Sequence, residues 1–310
     1  MEPTIPSPEE AIAHLADRDE PLLNARLTEL TNLHQAHMEQ LKSSWPTIEP
    51  ELRRQIVRRL VELAEDDIEL NFDVIFKYLL KDRDEEVRAQ AIEGLWENEE
   101  PSRIEPLINL LERDGSELVQ AAAALALGKF ALLAEHGKLR STYKARLQQV
   151  LLAIVSSNNK SIEVRRRAIE AAAPLSLPEV KQAITEAYQG SDARLRISSV
   201  YAMGKSCDST WVPALLKELT NVDAEMRYEA AGALGDLEEE TAVPDLTNLV
   251  NDTDVDVRMA AIQALGKIGT THASACLKHC LESNNEAVRE TAEQALKELE
   301  AREDPLSFKL

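Results

Sequence analysis

The sequence predicts an all-α chain, an α-α superhelix of about eight stacked helix pairs, and three observations carry that expectation. The first is a repeated pattern. Asp223-Ala-Glu-Met-Arg-Tyr-Glu-Ala-Ala-Gly-Ala-Leu-Gly235 returns thirty-one residues later as Asp254-Val-Asp-Val-Arg-Met-Ala-Ala-Ile-Gln-Ala-Leu-Gly266. The second is an apolar anchor ahead of an arginine in most repeats, at Val87, Val119, Val164, Leu195, Met226, Val257 and Val288, with a weaker one at Leu52. Residues four, five and eight after the anchor are small or apolar, which at helical spacing puts them on one face. The third is composition: 10 glycines and 4% aromatics are few, and 44% hydrophobic residues suffice for a continuous core of stacked helices.

Residues 1–6 read as an unstructured tail. Ser7-Pro8-Glu9-Glu10 has the order of a capping box and opens a short helix to about Asp17. Pro21 then leads a longer helix to about Lys42, and Trp45 to Pro50 is a loop. Residues 1–50 together form a helical cap, followed by helices over 51–65 and 71–80. Repeats occupy 51–285. Each inner helix starts after an N-cap type, Asp84, Ser116, Ser161, Asp192, Asp223, Asp254 or Asn285, whose side-chain oxygen can accept from free N–H groups of the first turn. Gly128, Gly204, Gly235 and Gly266 are expected to end these helices in the left-handed conformation. Outer helices open near Pro106, Pro178, Pro213 and Pro244. The spacing stretches between Val119 and Val164, so 120–163 is a lengthened unit. Residues 286–301 form a capping helix, since Glu293 and Lys297 turn a core column and the glycine column polar. Residues 302–310 are a tail.

The pattern Asp-x-x-Val-Arg-x-x-Ala-x-x-Ala-Leu-Gly resembles the HEAT-like repeats of the phycobilisome (phycocyanobilin) lyase type, most closely over 192–297 and 82–173. The resemblance implies an armadillo-type solenoid. It also implies that Arg88, Arg165, Arg196, Arg227, Arg258 and Arg289 form a ladder with loop aspartates rather than an anion site, and it offers a role as subunit or chaperone of a bilin-chromophore lyase. Deoxyhypusine hydroxylase, another protein of HEAT-like repeats, holds two irons through His-Glu dipeptides. None of the 6 histidines here precedes a glutamate.

No catalytic constellation is evident: there is no Gly-x-Ser-x-Gly, P-loop or Gly-x-Gly-x-x-Gly. His272, Cys276, His279 and Cys280 share a helical face but span about 12 Å, too far for one ion. His34 and His37 lack a third ligand, and no cofactor or metal is expected. A net charge of −20 speaks against nucleic acid. No apolar run approaches the roughly 20 residues that span a bilayer, and no secretory signal is visible. The 3 cysteines make no disulfide framework, so a cytoplasmic location is expected; the oligomeric state is left open, with a monomer assumed.

The expected function is a non-catalytic scaffold or adaptor that binds another protein or peptide segment on the concave face. Positions two, three, six and ten after each anchor should line that face. They supply Arg166, Arg167, Ile197, Tyr201, Tyr228, Met259 and Gln263 as the partner-binding cluster, with the arginines available for acidic groups.

Overall fold

The structure is a computed structural model describing residues 7–17 and 22–303. The tail expected over 1–6, the expected helix start at Pro21 and residues 304–310 of the expected C-terminal tail lie outside the described residues. Those described are helical with no strand, in the order of an α-α superhelix. The chain divides into two compact units, Met1–Phe130 and Ala131–Leu310.

The N-terminal unit opens with α1 (Pro8–His14), α2 (Asn24–Leu27), α3 (Gln35–Ser44) and α4 (Pro50–Asp66). The capping box at Ser7 is present: its Oγ accepts from the Glu10 N–H, and the Glu10 carboxylate accepts from the Ser7 N–H. The single helix expected from Pro21 to Lys42 is instead broken. α2 passes into a 3-10 turn, Thr28–Leu30, and Asn32 then takes a left-handed φ of 50°. The break is pinned from outside. Asn32 N–H donates to the Asn71 carbonyl at 2.8 Å, and Asn71 N–H donates to Thr31 Oγ1 at 2.9 Å. Trp45, expected in a loop, starts another 3-10 turn and is buried, its Nε1 donating to Asp82. Then come α5 (Asp73–Leu79), α6 (Glu85–Glu93), α7 (Ile104–Arg113) and α8 (Glu117–Glu135), whose last residues belong to the second unit.

α8 departs from the expectation of no long apolar run: by length and composition it could cross a membrane. Half of it is buried in the structure, and the apolar run is core, with Val119, Ala123, Ala124, Leu127 and Phe130 out of solvent.

The C-terminal unit continues with α9 (Ser141–Val155), α10 (Ile162–Ala172), α11 (Pro178–Gln189), α12 (Ala193–Lys205) and α13 (Val212–Glu218). It ends with α14 (Ala224–Asp236), α15 (Val243–Leu249), α16 (Val255–Ile268), α17 (Thr271–Cys280) and α18 (Glu286–Glu303). α18 thus extends into the stretch expected to be tail. Helices pair as α9 with α10, α11 with α12, α13 with α14, α15 with α16 and α17 with α18, and the second members stack on one another in sequence. The N-caps act as expected: Asp84, Ser161, Asp192, Asp223, Asp254 and Asn285 each accept from first-turn N–H groups. Asp84, Ser116, Asp223 and Asp254 are themselves held by a side chain two residues earlier, as where Asp254 N–H donates to Asp252 Oδ1 at 2.9 Å.

The core columns are buried as the spacing predicts, from Val87, Ala91, Ile92 and Leu95 to Val257, Ala261, Ile262 and Leu265. The glycines serve differently from expectation. Gly204, Gly235 and Gly266 lie inside their helices, and the left-handed residues come three positions later, at Cys207, Glu238 and Gly269. What requires glycine is contact. A Cβ on Gly204 would stand 2.6 Å from Ala233 Cα, and one on Gly235 would stand 2.7 Å from Ala264 Cα. One on Gly266 would stand 2.8 Å from Ala295 Cβ. Consecutive inner helices therefore meet backbone to backbone along a glycine–alanine seam.

The Arg ladder is partly of the expected kind. Arg88 forks onto Asp114 at 2.9 and 2.7 Å, and Arg227 onto Asp252 at 2.8 and 2.7 Å. Arg165, Arg258 and Arg289 instead donate to backbone carbonyls, of Val155 at the end of α9 and of Asp252 and Ser283 in loops.

The seam separates two glycines of α14. Gly232 has open space around its missing Cβ, so Gly232→Ala should stabilise the fold by about 0.5–1 kcal/mol through helix propensity. Gly235→Ala should destabilise it by about 1–3 kcal/mol through overpacking. Denaturant melts of the two variants decide it; two changes of the same sign would contradict the seam.

Candidate functional site

The residues expected to line a partner site all fall in the C-terminal unit, and the structure sorts them into two groups with different chemistry.

The first group is an ion-paired belt across α10, α12, α14 and α16. Arg166 meets Glu163 at 3.2 Å and Glu170 at 3.9 Å on its own helix, and its Nε donates to Ser198 Oγ at 3.0 Å. Ser198 in turn donates to Glu170 at 2.5 Å. Arg167 bridges Glu163 at 3.0 Å and Glu170 at 2.9 Å. Further along, Lys205 and Lys267 both clamp Asp236, at 2.8 and 2.6 Å. The Lys205 ammonium lies over the Tyr201 ring, 5.4 Å from its centroid. Burial alone would lower the Lys205 pKa, but the Asp236 hydrogen bond and charge hold it above the ordinary lysine range. Burial raises the Tyr201 phenol.

These contacts correct two expectations. The arginines are engaged by Glu163 and Glu170, so they are not free to receive acidic groups of a partner. Ile197 is only 4% exposed and cannot be part of an exposed cluster. Ser198 and Ala260 are buried as well. The physical reason is the seam: helices drawn this close cover each other's flanks. Position two after the anchor is thus buried at Ile197 but open at Tyr228.

The second group survives as a surface. Tyr228, Met259 and Gln263 line one groove of about 400 Å³ between α14 and α16, completed by Ala224, Glu225, Asp254, Asp256 and Ala260. Tyr228 is 40% exposed. Glu225 and Asp256 make no ion pair among the described residues, so the groove has an apolar–aromatic floor and a negative rim. Tyr201 does not line it.

Other candidates resolve plainly. Among the described residues no group of three or more His, Cys, Asp and Glu side chains could hold a metal ion. Cys280 is buried, and burial together with Cys276 pushes its thiol up to about 11; His279 is exposed. His37 pairs with Glu9 at 2.7 Å. Two features escape sequence reasoning. Glu218 is buried on an outer helix, where Tyr188 and Asn221 donate to it; its column offers no charge-periodic signal. In the N-terminal unit Trp96, Leu118 and Leu125 are exposed along a second groove between α6 and α8. Leu125 was legible from its column, whereas Trp96 lies beyond the end of α6.

Residues 72–135 and 212–297 match the family described as HEAT repeats. No curated protein matches the chain. Among solved structures it is similar to Escherichia coli YibA, at 17% identity over 79% of this chain and 96% of that one, TM-score 0.46. It is similar to human deoxyhypusine hydroxylase in complex with glycerol, at 21% identity over 94% and 96%, TM-score 0.33. It is also similar to a Kap95p–RanGDP structure, at 16% identity over 94% of this chain and 41% of that one, TM-score 0.43. The chain thus carries HEAT-type repeats; nothing in these matches points to the phycobilisome lyase type.

Beside the belt sits Glu229, on α14, with no hydrogen-bond partner among the described residues. Burial and the negative charges of Glu170 and Glu225 push its carboxyl up to about 7, against the pull of Arg166 and Lys205. The folded carboxyl therefore holds a proton that the unfolded one has lost. That contribution to stability is full below about 4.5 and fades as the pH rises through about 7. Glu229→Gln should match the wild type near pH 5 and exceed its stability by about 1–3 kcal/mol at pH 8. Urea melts at both pH values test this; a difference that does not widen with pH contradicts it.

Proposed function

We propose that the chain is a non-catalytic protein-binding scaffold whose partner docks on the inner helices of the C-terminal unit, in the groove between α14 and α16. One observation carries this reading. Tyr228 and Met259 are presented side by side in a concave 400 Å³ space with carboxylates at its edge. Tyrosine is enriched at binding hot spots and methionine adapts to varied shapes. The rim charge sets the partner's character: an apolar or aromatic side chain enters the groove and flanking lysines or arginines meet Glu225, Asp254 and Asp256. This reverses the acidic partner expected from the arginines, which are already neutralised within the belt. The net charge of −20 supports a protein segment over nucleic acid. A part in bilin attachment rests on the sequence resemblance alone; unchanged absorption of a linear tetrapyrrole at micromolar protein would count against it.

The test is affinity capture from the native host followed by titration of the captured partner. Tyr228→Ala with Met259→Ala should cost about 2 kcal/mol or more of binding with the melting temperature unchanged. Glu225→Lys with Asp256→Lys should weaken binding further, most at low salt. Binding that survives both pairs of changes would rule the groove out.

A further inference from the structure

In unit two the residue that closes the 3-10 turn ahead of an outer helix is Trp211 or Ala242, and both are buried. In the N-terminal unit the same position, ahead of α7, is Arg103, and it is only 4% exposed. An arginine thus stands where the repeat places an apolar side chain. Its Nη2 donates to Asp73 Oδ2 at 2.9 Å, a carboxylate oxygen it shares with the amide of Asn98. Its Nε and Nη1 are buried and have no hydrogen-bond partner among the described residues. A buried guanidinium with two unused donors is costly and calls for a reason.

Arg103 lines a pocket of about 760 Å³ formed by residues of α5, α6, α7 and α8. Its walls are apolar: Leu80, Ile92, Leu95, Leu107, Leu110 and Phe130. Its charges are mostly positive. Lys77, Lys81, Arg103, Arg113 and Lys129 line it, and the one lining acid, Asp114, is already taken by Arg88. Lys77 pairs with Glu100 at 3.3 Å, and Lys129 donates to the Trp96 carbonyl at 2.6 Å. The side chains of Lys81 and Arg113 make no hydrogen bond or ion pair among the described residues. Five cations around one apolar space are unexpected on a chain of charge −20. The volume is that of a small-molecule site, which typically joins apolar walls to a few placed polar groups.

We infer that this pocket binds a small amphiphilic anion, whose carboxylate or phosphate head meets Arg103, Lys81 and Arg113 while its apolar body fills the space walled by Leu95, Leu107 and Phe130. The head supplies the acceptors that the buried guanidinium lacks. A planar fork of N–H donors suits a carboxylate or phosphate better than a neutral group. The site is distinct from the α14–α16 groove, so either can fail without the other.

Isothermal titration of the full chain tests the inference with dodecanoate, dodecyl phosphate and dodecanol, each below its micelle or solubility limit. Dodecanoate or dodecyl phosphate should bind one to one, and dodecanol at least about tenfold more weakly. Arg103→Leu places an apolar residue where other repeats have one and should erase the preference for the anion. Lys81→Ala with Arg113→Ala changes only exposed side chains and should weaken the anion about tenfold at unchanged melting temperature; this pair decides the matter if Arg103→Leu fails to fold. Flotation with vesicles of anionic phosphatidylglycerol separates the sources of the head group: free amphiphile that binds without vesicle capture places the ligand in solution, and capture lost in the Lys81–Arg113 variant places it in a membrane. No binding, equal binding of dodecanol, or affinities untouched by the variants would overturn the inference.

Discussion

The close approach of successive inner helices is the constraint on which the C-terminal unit depends. Gly204 against Ala233, Gly235 against Ala264 and Gly266 against Ala295 leave no room for a single added methyl group. The columns four, five and eight after the anchor are buried, as at Ala261, Ile262 and Leu265, and at the seam only small residues fit. Backbones this near also bring the flanks of neighbouring helices into contact. That is why one aspartate, Asp236 on α14, can serve lysines from both α12 and α16.

The same constraint explains what the sequence did and did not disclose. Period, caps and core columns are local or strictly periodic, so Asp254, Val257 and Leu265 could be assigned from spacing alone. The glycines were recognised as special for the wrong reason, because a glycine near a helix end reads as a left-handed cap, whereas here the cap comes three residues later. Exposure of the inner face was overestimated at Ile197 and Ser198, since a single helix cannot show how far its neighbour overlaps it. Tyr228 and Met259 stand two after their anchors, the same column as the buried Ile197, so spacing alone does not separate the residues that line the groove from those that are covered. The ion pairing of Arg166 and Arg167 with Glu163 and Glu170 was in principle legible, since the partners lie three and four residues away on α10. The break at Asn32 was hidden because its cause lies about forty residues away in the chain, where Asn71 accepts from the Asn32 N–H and donates to Thr31 Oγ1.

Charge is distributed against its own average. The acidic total is carried largely by solvated faces and by caps that stabilise helix starts. Within the C-terminal unit cations are consumed by internal pairs, leaving a groove with a negative rim. Within the N-terminal unit a buried arginine and unpaired surface cations gather around one apolar pocket.

The claim that the seam governs local architecture is tested most directly by hydrogen–deuterium exchange of Gly235→Ala against the wild type. Repeat stacks couple mainly through nearest neighbours. The account predicts faster amide exchange in α12, α14 and α16, grading off with distance, and unchanged protection in α4 to α7. Protection preserved in α14 and α16, or lost evenly along the whole chain, would contradict it.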